Sequence, residues 1–229
     1  MEKDNNEKSQ IFRAIGVIIL YLFGSAFTYI FIGLFGIDFE KLNNIYQQIY
    51  LIIYELLLTL LIVYIYRKDI IPSFIEFKSN FKEYVDKYIK YWFIMLGLMI
   101  LSNAIITQFT TTEVSNNQTT IIELLGTYPI YTLVTTIISA PLLEELIFRL
   151  SLRKIFSNNT IFIIISGLIF GALHVVGSFN NPIDLLFIIP YSIPGFIFAL
   201  IYTKSKNIWS TIGLHCMHNT IMILLQLLI

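Results

Sequence analysis

Residues 128–150 read YPIYTLVTTIISAPLLEELIFRL, an apolar run that carries Glu144, Glu145 and Arg149 in its second half. About 20 helical residues cross the ~30 Å of bilayer hydrocarbon, so the run is long enough to span a membrane. A charge at membrane depth costs about 2.5–3.5 kcal/mol on insertion scales, so three of them need a reason. Glu145 and Arg149 stand at i,i+4 with the acid on the N-terminal side, the better orientation for an ion pair. Glu144 lies off that face and has no helical partner. A carboxyl left alone in a dry site suits a general base or acid working near neutral pH. Pro141 removes a backbone donor, which is expected to free the carbonyl of Ile137 and to bend the helix just before the pair.

Six further apolar runs flank this one, at 12–35, 45–66, 91–110, 160–176, 183–202 and 208–229. Composition agrees: 56% of the 229 residues are apolar and only 13% are charged, about half the charge of a soluble domain. The expected fold is an all-α, polytopic transmembrane bundle of about seven spans, or eight if a half-span lies in 70–90 or 118–127. The first run is too long, and its leader MEKDNNEKSQ too acidic, for a signal peptide. With seven spans, 14 of the 15 basic residues fall on one side, Lys41 being the exception. Basic loops stay cytoplasmic, which puts the N-terminus and the 67–90 loop inside and the polar segment TTEVSNNQTT outside. Phe74–Lys90 reads as an amphipathic interfacial helix or as a solvated connector. The 15 acidic residues cancel the basic ones, so no global positive field exists to hold nucleic acid. The single Cys216 excludes an internal disulfide.

All three histidines lie in late spans. His174 shares a helical stripe with Gly167 and Gly171, small residues that let a second helix press against it. His215 and Asn219 form an i,i+4 polar stripe able to donate hydrogen bonds to a developing oxyanion. If the fourth span turns at Ser157-Asn158-Asn159, Glu144 precedes the turn by 13 residues and His174 follows it by 15. At ~1.5 Å per residue both sit roughly 20 Å from the turn. Asn219 reaches a similar level from Asn207, which suggests one site opening towards the cytoplasm. Glu55, alone in the second span, reads as structural, and His218 receives no catalytic role.

These residues carry a resemblance. EExxxR (Glu144, Glu145, Arg149), FxxxH (Phe170, His174) and HxxxN (His215, Asn219) occur in the order and on the helix types of the CPBP intramembrane proteases. That family joins type II CAAX prenyl endopeptidases to bacteriocin-processing and self-immunity (Abi) proteins. The resemblance covers roughly 130–220. It makes 128–229 the catalytic helical core and 1–127 its N-terminal spans and connector, together one membrane domain. It implies that Glu144 and His174 activate a water for peptide hydrolysis, that His215 and Asn219 hold the oxyanion, and that Glu145, Arg149 and Phe170 support them. The implied substrate is a membrane-associated peptide or lipidated protein: a peptide pheromone, a bacteriocin precursor or a CAAX-like protein. Glu144, His174 and His215 are also three conceivable zinc ligands. No HExxH is present and no acidic groups remain to orient the histidines, so no cofactor is expected. Two other classes stay open: a non-catalytic immunity or peptide-binding protein, and a small proton-coupled transporter whose sixth span is broken at Pro190 and Pro194.

Overall fold

A computed structural model of the chain describes residues 2–110, 115–177 and 181–228. It is an all-helical membrane bundle. In order come α1 (Glu2–Ala26), α2 (Thr28–Gly33), α3 (Asn44–Ser79), α4 (Phe81–Ile106), α5 (Asn116–Thr127) and α6 (Pro129–Ile155). They are followed by α7 (Asn159–Val175), α8 (Ile188–Ser205) and α9 (Ile208–Leu228). A 3₁₀ turn over Pro182–Phe187 leads into α8. Among the described residues, α3, α4, α6, α8 with its leading turn, and α9 are long and apolar enough to cross a membrane. The chain is therefore a multi-pass membrane protein. The shorter α7, of 17 residues, is apolar overall.

Local chemistry sets the helix ends. The Asn43 side chain accepts from Tyr46 N at 3.1 Å, and Asn158 from Thr160 N and Ile161 N at 2.9 and 3.1 Å, each satisfying donors of a first helical turn. Asn158 thus makes the tight α6–α7 turn that the sequence predicts. At the end of α8, Lys206 takes a left-handed φ of 54° and lets Asn207 begin α9.

Three expectations about the spans are corrected. The first run, 12–35, is not one regular helix: a one-residue irregularity at Phe27 separates α1 from α2, although Phe27 N–H still reaches the Phe23 carbonyl and the Phe27 carbonyl accepts from Phe31 N–H, both at 2.8 Å. The 67–90 segment is helical rather than a loop. Both α3 and α4 continue through it and meet at Asn80, forming a helical hairpin beyond the apolar region. The start of α9 ties this hairpin down, with Trp209 Nε1 donating to the Ile70 carbonyl at 2.9 Å and Asn207 Nδ2 to that of Ser73 at 2.8 Å. Within TTEVSNNQTT, residues 111–114 lie outside the described residues, and from Asn116 the segment is helical rather than loop. This α5, at the second position expected for a half-span, has 12 residues, too few to cross.

The largest core cluster joins both halves of the chain. Val17 from α1 and Leu58, Ile62, Tyr66 and Ile70 from α3 pack on Leu143, Leu146, Ile147 and Phe148 of α6, Phe170 of α7 and Ile212 of α9. At the basic end, Asp69 takes both Arg13 Nη2 and Lys154 Nζ at 2.8 Å, pinning α1 and the end of α6 to α3.

Candidate active site

Two wide π-type turns interrupt α6, at Thr135–Ser139 and Leu146–Ser151. They bracket the Glu pair, and such turns recur at functional sites. At the first, Ala140 N–H bonds to the Thr135 carbonyl. Pro141 has no N–H to offer the next carbonyl. The carbonyl of Thr136 therefore loses both its α and its π partner, and Asn219 Nδ2 donates to it at 2.8 Å. The proline thus leaves the Thr136 carbonyl to Asn219, one residue before the Ile137 carbonyl that the sequence points to. At the second turn, Leu152 N–H reaches the carbonyls of Ile147 and Arg149 and passes over that of Phe148. Ser166 Oγ donates to the Phe148 carbonyl and accepts from Arg149 Nη1, both at 2.7 Å.

The predicted ion pair is present. Arg149 Nε lies 3.1 Å from Glu145 Oε2, and both side chains are 0% exposed. The guanidinium also sits 5.1 to 6.0 Å from the ring centroids of Phe148, Phe170 and Phe198, faces that favour a cation. The other Glu145 oxygen, Oε1, accepts from His215 Nδ1 at 3.0 Å. That bond fixes the imidazole, because a carboxylate only accepts and Nδ1 must carry the proton. His215 Nε2 is then directed at Glu144, 3.7 Å from Oε2. This is charge-pair range but beyond hydrogen-bond length. Glu145 is therefore more than a clamp: it also orients His215.

His174 stands across the cavity on α7. The glycine stripe beneath it does what the sequence predicts. A Cβ on Gly195 of α8 would come within 2.8 Å of Gly167 Cα, and one on Gly171 within 2.7 Å of the Ile188 carbonyl oxygen. The α7 and α8 backbones thus meet closely and hold His174 against α8. Its Nδ1 donates to the Phe170 carbonyl at 2.8 Å, which makes Nε2 the ring's acceptor. The ring stacks between Phe170 (4.6 Å, 29°) and Tyr191 (5.2 Å, 17°).

Glu144, His174, His215 and Asn219 all line one cavity of about 490 Å³. Phe170, Tyr191 and His218 line it too. Glu55 is not among its lining residues but lies within electrostatic range of Glu144. His218 is buried and meets Trp92 edge-on at 6.4 Å. The cavity does not open as expected. It extends from Glu144 away from the basic hairpin, past Met99 and Asn103 of α4, α5, and Met222 and Gln226 of α9. Towards the basic end it is backed by the fully buried Arg149, Ser151, Ser166 and Thr211. Helix depth gave the level of the site but not its open side. Among the described residues, no three His, Cys, Asp or Glu groups are placed to hold a metal ion. The three conceivable zinc ligands do not form such a set.

Tyr191 carries no motif signal, and its only hint in sequence is its place between Pro190 and Pro194. Its hydroxyl pairs with Ser115 Oγ at 2.6 Å and accepts from Asn117 Nδ2 at 3.3 Å, linking α5 to the ring on His174. An aromatic pair contributes about 0.5–1.5 kcal/mol beyond burial. Tyr191→Leu should therefore lower the stability of the folded protein by about that amount, and Tyr191→Phe, which keeps the stack, by less. Equal losses in thermal unfolding would assign the effect to the hydroxyl rather than to the stack.

The chain is similar to several bacterial proteins over just under half its length. It is 34% identical over 116 residues to a Bacillus subtilis protein provisionally named membrane peptidase YdiL, covering 49% of this chain and 44% of that protein. It is 36% identical over 99 residues to an uncharacterised protein of Mycoplasma capricolum, covering 43% of this chain and 28% of the relative. With protein YaiH of Lactococcus lactis it shares 30% over 103 residues, 43% of this chain and 41% of YaiH. The chain thus spans less than half the length of these relatives. No solved structure matches it. Residues 126–221, which supply Glu144, His174, His215 and Asn219, match the family described as Type II CAAX prenyl endopeptidase Rce1-like.

Proposed function

We propose that this protein is an intramembrane endopeptidase that hydrolyses a peptide bond of a membrane-associated peptide or protein. The observation that carries this reading is the convergence of Glu144, His174, His215 and Asn219 on one cavity, with Glu145 and Arg149 buried beneath. The family match and the likeness to a membrane peptidase support it.

In this reading Glu144 and His174 Nε2 hold one water between them. Glu144 takes a proton from it as the water oxygen attacks the scissile carbonyl. His215 Nδ1–H is committed to Glu145, so His215 donates to the oxyanion from Nε2 as the imidazolium. The Glu145 carboxylate below stabilises that cation. Asn219 supplies the second donor, its amide held by the Thr136 carbonyl. The C–N bond then breaks as Glu144 returns its proton to the leaving amine nitrogen, and the new carboxyl group, which holds the water's second proton, passes it to the amine or to solvent and leaves as a carboxylate. The continuous helix α8 through Pro190 and Pro194 removes the main support for a broken-helix transporter.

Purified protein incubated with candidate precursor peptides, and read by mass spectrometry, tests the reading. Wild type should release two fragments whose masses sum to the peptide plus one water. Glu144→Ala should release none. Cleavage should survive 1,10-phenanthroline at concentrations that strip zinc. Its loss, with recovery on added zinc, would overturn the metal-free mechanism. Tight peptide binding without cleavage would favour the immunity or binding class.

A further inference from the structure

The direction in which the cavity opens bears on what it accepts. From Glu144 it runs along successive turns of α4 (Leu96, Met99, Asn103) and of α9 (Met222, Gln226). Both series lead to the end of the bundle that holds Thr107 and Ser115. In the other direction the site is sealed: Arg149, Ser151, Ser166, Phe198, Ile201 and Thr211 are all 0% exposed. The sealed end is also the basic end. It carries the α3–α4 hairpin with Lys78, Lys82, Lys87 and Lys90, the α6–α7 turn with Arg153 and Lys154, and the α8–α9 turn with Lys204 and Lys206. Lys and Arg concentrate on the cytoplasmic side of membrane proteins.

The cavity walls have a second property. Among its described lining residues, Glu144 is the one Asp, Glu, Lys or Arg. Between the polar groups around Glu144 and the carboxamides Asn103, Asn117, Gln118 and Gln226 towards the mouth, the walls are largely apolar, with Leu96, Met99, Met222 and Ile223. Carboxamides there can bond to the backbone amides of an extended peptide, which must shed water on leaving solvent. A substrate Lys or Arg close to the scissile bond would pair with Glu144 and quench it as a base. An Asp or Glu there would be repelled. The volume falls within the range of about 300–1,000 Å³ common for small-ligand sites, enough for a short peptide segment and not for a folded domain.

We propose that the site receives its substrate from the outer half of the membrane, as a short extended peptide segment with no charged side chain at the scissile bond. The direction of access does not depend on the protease reading. The selection against charge rests on it through Glu144.

The test uses the full-length protein in cells with Cys216→Ser. Single cysteines are placed at Gln118→Cys and Met222→Cys in the cavity and at Glu83→Cys on the hairpin, with membrane abundance checked by immunoblot. A membrane-impermeant thiol reagent should label 118 and 222 in intact cells, and 83 only after permeabilisation. Labelling of 83 in intact cells, with 118 and 222 reached only after permeabilisation, would overturn the proposal. So would labelling at 118 with none at 222 in either state, because the cavity would then be closed. In a second arm, acetylated tetrapeptide amides compete with the reagent at position 222. A peptide of Ala, Leu and Ser should slow labelling at least tenfold, and the same peptide with a central Lys or Asp should not. Equal protection by all three would overturn the charge selection. Protection without any cleavage would retire the protease reading and leave outer access standing. Cleavage with inverted labelling would do the reverse.

Discussion

Glu144→Gln should abolish peptide hydrolysis while the protein still accumulates in the membrane. Glutamine keeps the shape of the side chain, and Glu144 makes no ion pair with Arg149 that the change would break. What it removes is the group that accepts the proton of the attacking water. General-base catalysis contributes about 10²–10⁴ in rate. Glu145 cannot substitute, since its two oxygens are held by Arg149 and His215 at 3.1 and 3.0 Å. Asn219→Ala removes one oxyanion donor, worth about 10²–10³, and should leave faint turnover. The double variant should lose less than the product of the two, because the base and the oxyanion site act on one transition state. Fragment release by mass spectrometry, normalised to membrane abundance, measures all three. Retained turnover in Glu144→Gln would remove Glu144 as the base.

The parts of this site that are legible in sequence are those that depend on spacing along one helix. The i,i+4 pair of Glu145 and Arg149, the Gly167–Gly171–His174 stripe and the Asn158 turn follow from helix geometry and capping alone. The contacts that make the site work cross between helices separated by dozens of residues. Glu145 to His215, Asn219 to Thr136 and Tyr191 over His174 are each invisible to periodicity. The two π turns are a related case. Pro141 announces a disturbance in α6, but which carbonyl is orphaned depends on how the extra residue is absorbed. The hairpin at Asn80 escaped for another reason. The charges of 67–90 mark the end of the apolar stretch, and the helices continue past it because Trp209 and Asn207 pack and bond against them.

Arg149→Ala should lower the amount of folded protein sharply, whatever its effect on chemistry. The guanidinium is wholly buried, paired with Glu145 and Ser166 and set among three phenylalanine rings. Its removal leaves Glu145 as a buried carboxylate without its countercharge, which costs about 3–5 kcal/mol where the pair is dry. It also leaves a cavity beside Phe170, and so loosens the floor beneath His174. Changing both partners isolates the two roles of Glu145. Arg149→Met with Glu145→Gln takes away the unpaired charge and refills the volume, so abundance should recover most of the way towards wild type. Turnover should not recover, because a glutamine cannot hold His215 as an imidazolium. Membrane abundance by immunoblot and turnover per folded molecule are read side by side. Full turnover in the double variant would reduce Glu145 to a structural clamp. A double variant as depleted as Arg149→Ala would show that the arginine supports the fold through its contacts with Ser166 and the rings rather than through Glu145.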